Sequence, residues 1–292
     1  MLYKACYVLI LFITPLMAES APYITEGFSR KLDFNITNDS NISKAWRSTD
    51  KLDDTLTSMS IGGAYSNPEG DSGLLIVNAY IGYQDHKILD DLDLFMVSFG
   101  GQYFFQFDSG YLAPTYQVGL DLRSLHYADS DARNGEIATF TLGVSKRLTS
   151  STLTSVSYQH SRRNAESNTY ETDNDFLNLG FEYRFTPKST FYADVLLSYG
   201  DHLSSAVGAN SIFSAKIGAD AFIVDSVYGC SNQCEYSTYR FKGDGLSTTI
   251  GLVFSLAQNL NLDLSARLYD WEGDTGIGSN DWSANLGIVW QF

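Results

Sequence analysis

The sequence predicts an all-β protein: a single antiparallel up-and-down transmembrane β-barrel, with fourteen strands favoured and twelve as the alternative. Three observations predict it. Apolar residues recur at every second position from residue 28 to the end, short and long links alternate between the patterned segments, and aromatic residues gather at segment ends. A soluble sandwich also alternates, but its apolar face points inward, whereas a membrane barrel turns that face to lipid and rings both interfaces with aromatics. The segments run about 10 to 15 residues, long for ordinary sheets and suited to a tilted crossing of ~9–11 residues with overhang.

The N-terminus sets the compartment. Lys4 precedes the apolar stretch CYVLILFITPLM (residues 6–17), and small and polar residues follow from Ala18 to Ala21. This is the pattern of a secretory signal peptide, assigned to residues 1–20, and the stretch falls short of the ~20 residues a membrane helix needs. The barrel domain is assigned to residues 21–292. With a net charge of -15, nucleic acid is excluded as a partner. Gly numbers 24 and Pro only 5, while Tyr and Phe number 19 and 18, a mixture that suits strands joined by short turns. Cys6 lies in the signal peptide; Cys230 and Cys234, in YGCSNQCEY, are expected to form a disulfide in an oxidising compartment.

Strands are expected near 27–37, 55–66, 73–84, 93–107, 111–126, 135–147, 152–163, 174–186, 190–200, 246–256, 259–271 and 281–292. In NLNLDLSARLY, for example, Leu260, Leu262, Leu264, Ala266 and Leu268 share one face, and Asn261, Asp263, Ser265, Arg267 and Tyr269 the other. FDSG (107–110), LTSS (148–151), TPKS (186–189) and AQNL (257–260) are tight turns. The links at 86–92, 127–135, 162–173, 201–209 and 273–281 are longer and polar, as on the outer side of outer-membrane barrels. The stretch 201–245 decides the count. Phe213, Ala215, Ile217, Ala219, Ala221 and Ile223 alternate in SIFSAKIGADAFI, and with CEYSTYRFK (234–242) they favour fourteen strands.

The face opposite the lipid carries the candidate functional residues: Lys31, Asp33, Gln117, Asp121, Arg123, Glu182, Arg184, Asp194, Asp263 and Arg267. Twelve to fourteen strands enclose more space than the eight whose side chains can fill the interior, so a wet lumen follows unless segment 201–245 folds inward. The mixed charge predicts weak ion selectivity, leaning to cations because the outer loops are acidic. His86, His126, His160 and His202 fall near strand ends or outer loops. His160 adjoins Ser161 in YQHSRRN, yet neighbouring residues on a strand face opposite ways, so no catalytic pair is expected and the protein reads as a non-enzyme. The runs Asp90, Asp91, Asp93 and Asp129, Asp131 read as solvated loop charge. No metal or cofactor is expected.

The signal peptide, the hairpin rhythm and a last strand that ends NDWSANLGIVWQF (280–292) resemble Gram-negative outer-membrane β-barrel proteins, porin-like and of no specific characterised family. The segment FNITNDSNISKAW (34–46) is similar to first hairpins of surface-lipoprotein assembly modifier barrels and of uncharacterised proteobacterial barrels. The resemblance implies location in the bacterial outer membrane, contact with its lipid and lipopolysaccharide, and recognition of Phe292 by the barrel-assembly machinery as an assembly signal. It also implies a passive channel for small hydrophilic solutes; a non-conducting surface-interaction or export-associated barrel is the alternative.

Overall fold

Period-two patterning yields thirteen strands in the computed structural model, which describes residues 26–70, 72–108, 110–207, 214, 218–228 and 236–292. They are β1 (Gly27–Asp39), β2 (Asp54–Glu69), β3 (Gly73–His86), β4 (Leu94–Phe105), β5 (Thr115–Tyr127), β6 (Gly135–Arg147), β7 (Thr152–Ala165), β8 (Thr172–Thr186), β9 (Ser189–Val207), β10 (Ala221–Asp225), β11 (Tyr236–Ala257), β12 (Leu260–Gly273) and β13 (Gly278–Gln291). Twelve of them close a ring. Consecutive strands pair antiparallel from β1 to β9, β9 pairs with β11, and β11, β12 and β13 follow, with β13 returning to β1. The seam is well formed: Leu32 faces Trp290, Phe34 faces Ile288, and Arg30 and Phe292 exchange backbone hydrogen bonds of 2.9 and 3.0 Å. Closure leaves no unpaired edge in the ring, the condition for a sheet to cross a bilayer.

Fourteen strands is therefore corrected to twelve. The described part of the strand expected at 234–242 is the outer end of β11, and among the described residues of 211–223 strand begins at Ala221, in β10, which lies outside the ring. Alternation misled because a strand packed over the barrel mouth buries one face just as a spanning strand does. The proposed signal peptide (1–20) and Cys230 and Cys234 lie outside the described residues.

The outward face is apolar along the crossing. Phe34, Ile36, Met59, Ile61, Ile81, Phe95, Val97, Phe99, Leu120, Leu122, Phe140, Leu142, Leu177, Leu179, Ile250, Leu264, Leu286 and Ile288 are all exposed. In water such a continuous belt would be a large liability; in a bilayer it is the favoured arrangement. At the end that carries the short turns, Tyr103, Phe105, Phe107 and Tyr116 pack edge to face and face to face, with ring centroids 5.1 to 5.9 Å apart. At the seam Trp290 and Phe292 lie 5.0 Å apart, also at that inner end, and Trp282 is exposed near the outer end.

β9 and β11 outrun their neighbours. β8 stops pairing with β9 at Asn174–Gly200, and β12 stops pairing with β11 at Gly273–Gly243. Beyond those points β9 and β11 pair with each other, and β10 takes the place beside β11 that β12 has vacated. Gly200 sits at the departure point with φ 136°, a backbone conformation side chains disfavour, and an added Cβ would lie 2.3 Å from the Asp173 carbonyl. The resulting three-stranded flap carries β10 across the outer mouth.

Candidate functional site

The residues that alternate with the exposed apolar set are buried or half-buried and largely polar, and the ten residues singled out from the sequence are among them. Their partners differ. Lys31 Nζ meets Asp33 Oδ1 at 3.1 Å, both almost wholly buried, and Ser60 Oγ donates to Asp33 at 3.4 Å. Arg123 Nη2 lies 3.5 Å from Asp121 Oδ1, and Gln117 Nε2 donates to Gln102 at 3.4 Å. Arg267 Nε donates to Ser247 Oγ at 2.9 Å, and its guanidinium lies 5.2 Å from the centre of the Tyr269 ring. Asp263 accepts from the Tyr192 hydroxyl at 3.0 Å, and Asp194 accepts from Asn178. Lys31–Asp33 and Asp121–Arg123 balance charge locally, whereas Asp263 and Asp194 accept from neutral donors.

Tyrosines reach into the interior over glycines. A Cβ at Gly251 would stand 2.3 Å from the Tyr192 ring, and one at Gly62 would stand 2.2 Å from Tyr80. Only a bare backbone lets each ring lie flat along the wall. In the inner half, toward the short turns, the wall of β5 to β9 encloses a cavity of about 70 Å³. Gln117, Thr141, Ser155, Ser157, Gln159, Asn178, Glu182 and Asp194 line it. That is room for several waters, each needing at least ~10–15 Å³ on this measure. A smaller recess at the inner rim joins Glu182 to Arg147 and Arg184.

The outer half is built differently. Phe176, Leu196, Ala206, Tyr239, Phe241, Tyr269 and Trp271 form a buried apolar cluster on the β8–β12 side, against which Trp46, Ala219 and Ile277 pack. A second cluster joins Ile42, Leu89, Leu92, Val227, Tyr228 and Tyr236, which belong to two different outer loops and the flap. A third, Leu94, Met96, Leu125, Tyr127 and Ile137, lines β4 to β6. Segment 40–53 turns inward through Lys44, which adopts φ 53°, and its Nζ is held by Asp281 at 2.8 Å and Asp39 at 3.3 Å. Ser205 N in the flap donates to Ser43 O at 2.9 Å, fastening the two inward folds together.

One buried ion pair ties the flap to the opposite rim. Arg133, 1% exposed, grips Asp225 through both guanidinium amines, Nη1 to Oδ1 at 3.0 Å. Tyr170 donates to Asp225 Oδ2 at 2.7 Å, Thr238 donates to the same oxygen, and the Tyr170 and Tyr228 rings flank the guanidinium at 4.6 and 5.4 Å. Burial pushes the Asp225 carboxyl up, but the Arg133 charge and the hydrogen bonds from Arg133, Thr238 and Tyr170 outweigh it and hold the pKa below the usual carboxylate value. The sequence reading missed both Arg133 and Asp225. Arg133 sits in the run DSDAR, where it looks like solvated loop charge, and nothing local signals a partner ninety-two positions away.

His160 and Ser161 point to opposite faces. The His160 ring is half-exposed with Nδ1 3.0 Å from Asp175, while Ser161 is buried against Thr139 Oγ1 at 3.1 Å. No nucleophile–base pair forms between them. His86 is buried instead, its Nδ1 3.4 Å from Asp54. Asp93 accepts from His86 N at 2.8 Å and from Tyr83 Oη at 2.9 Å, so this member of the acidic run closes its loop.

No protein-family model and no curated protein matches the chain. Solved structures do. An outer-membrane channel from Pseudomonas putida F1 aligns over 92% of this chain and 97% of that one, with TM-score 0.58 and 10% identity. The KdgM porin in complex with disordered oligogalacturonate aligns over 90% and 99%, with TM-score 0.50 and 10% identity. The NanC porin aligns over 89% and 98%, with TM-score 0.50 and 10% identity. The chain is thus similar in fold to outer-membrane channel barrels along nearly its whole described length.

Proposed function

We propose that this protein is a passive channel for small hydrophilic solutes in the bacterial outer membrane, exported by the signal peptide at residues 1–20. The observation that carries the reading is the closed twelve-stranded ring, apolar outside and polar within. The fold shared with the KdgM porin, the NanC porin and the Pseudomonas putida channel supports it. Passage requires the flap and segment 40–53 to move, because the clusters they form occupy the outer mouth.

That same packing favours a second reading, a barrel that holds its mouth shut and works through its outer surface. Planar-bilayer recording on refolded protein separates the two, with folding verified by heat-modifiable gel mobility. Stepwise ohmic current in potassium chloride supports the channel. Folded barrels that insert and never pass current overturn it.

A further inference from the structure

The inner half of the wall carries negative charge that is not neutralised where a solute would meet it. Glu182 on β8 pairs in register with Tyr192 on β9, and Asp194 lies two residues further along the same inward face. Tyr192 reaches over Gly251 of β11 to Asp263 of β12. Glu182, Asp194 and Asp263 thus form an arc across four neighbouring strands. Among the described residues no ion pair within 4.0 Å involves Asp194 or Asp263, whose hydrogen bonds come from an amide and a phenol. Arg147 and Arg184 sit at the rim beside Glu182 only.

The cavity against this arc is lined by Glu182 and Asp194, hydroxyls and amides, with no lysine or arginine in its wall. Asn178 lines it as well, 8% exposed, and its Oδ1 has no hydrogen-bond partner. A buried amide oxygen without a donor is costly, and a cavity wall that offers carboxylates, a carbonyl and hydroxyl oxygens is an acceptor set. Its complement is a compact cation carrying several N–H donors.

We infer that this cavity is a binding site for small primary ammonium solutes on the path through the barrel, an assignment that rests on the channel reading for its physiological use. The ammonium donates to Glu182, Asp194 and Asn178 Oδ1, and the serine and glutamine side chains accept or donate around the carbon skeleton. The oligogalacturonate of the KdgM complex is a polyanion, and this wall would repel one.

Calorimetric titration of the refolded barrel with putrescine tests the site, with succinate as the anionic control. Wild-type protein binds putrescine and not succinate. Glu182→Gln with Asp194→Asn weakens binding by about tenfold or more, the loss expected when charge-assisted contacts become neutral ones. Asn178→Ala weakens it independently and leaves both carboxylates in place, so the site is still tested if the double variant fails to show heat-modifiable mobility. Absence of putrescine binding, equal binding by the variants, or equal binding of succinate overturns the assignment. Potassium chloride conductance of the same preparations reports on the channel separately: a barrel that binds putrescine and never conducts keeps the site and loses the channel, and one that conducts without binding does the reverse.

Discussion

The two halves of the barrel solve opposite problems with one alternating pattern. In the inner half the inward positions are small or polar, Ser155, Ser157, Asn178, Gly180 and Asp194, and space is left between them. In the outer half the same positions become Tyr269 and Trp271 on β12 and Tyr239 and Phe241 on β11, and the space is filled. The strands are continuous through both. What changes is residue size on one face, so the same sheet serves as a wall below and as half of a packed core above. The difference teaches that a barrel of twelve strands is not wide enough to guarantee a pore; a flap and one inward loop suffice to close it.

The comparison is broken most directly by removing the flap. Replacing residues 208–235 with a short turn should raise single-channel conductance several-fold, since the outer clusters lose Ala219, Val227 and Tyr228. Unchanged conductance would place the resistance in the inner half. Next in size is Asp225→Asn. It leaves the Arg133 guanidinium buried without its counter-charge, a loss of about 3–5 kcal/mol for such a pair. Hydrogen exchange of the amides at 218–228 should accelerate while exchange in β5 and β6 stays slow. Acceleration throughout the barrel would mean that the pair holds the ring and not the mouth.

Tyr170→Phe removes one hydrogen bond to a charged partner and should cost about 1.5–3 kcal/mol by the same exchange measurement. In the inner half, Gly251→Ala drives a methyl group into the Tyr192 ring and should lower stability by about 1–3 kcal/mol in urea unfolding. Restoration by Tyr192→Leu in the same chain would confirm that the ring is the obstacle.

The smallest effect at ordinary pH is that of pH itself. The Asp225 pKa is lower folded than unfolded. The stabilisation it brings is therefore complete above the ordinary carboxylate value of ~3.9 and is lost only as pH falls below that through the lowered folded value. Exchange at 218–228 should stay flat from neutral to mildly acid solution and rise only in strong acid. A rise already at mildly acid pH would show that a different group controls the flap.

The spanning strands were legible in the sequence because lipid imposes alternation on the outward face and turn residues mark both ends. Strands expected at 152–163 and 259–271 are observed as Thr152–Ala165 and Leu260–Gly273. The candidate set from Lys31 to Arg267 rests on the same parity. What was not legible was closure. Phe241 and Trp271 alternate as interfacial aromatics do, so their period cannot distinguish a girdle from a seal, and only the register with β9 and the flap turns them inward. Segment 40–53 has no period at all; its inward fold depends on Lys44 reaching Asp281 across the seam.

That seam has a consequence for the order of events in assembly. Arg30 and Phe292 bond across it, joining the two ends of the described chain, and β1 has no partner on that side until β13 has been made. Every other junction joins strands that are neighbours in sequence or separated only by the flap segment, so less loop entropy opposes it. Junctions of long separation form slowly because loop entropy opposes them before any bond rewards it. The junction of β1 with β13 therefore carries the largest loop-entropy cost in the ring, and without it the sheet keeps two open edges.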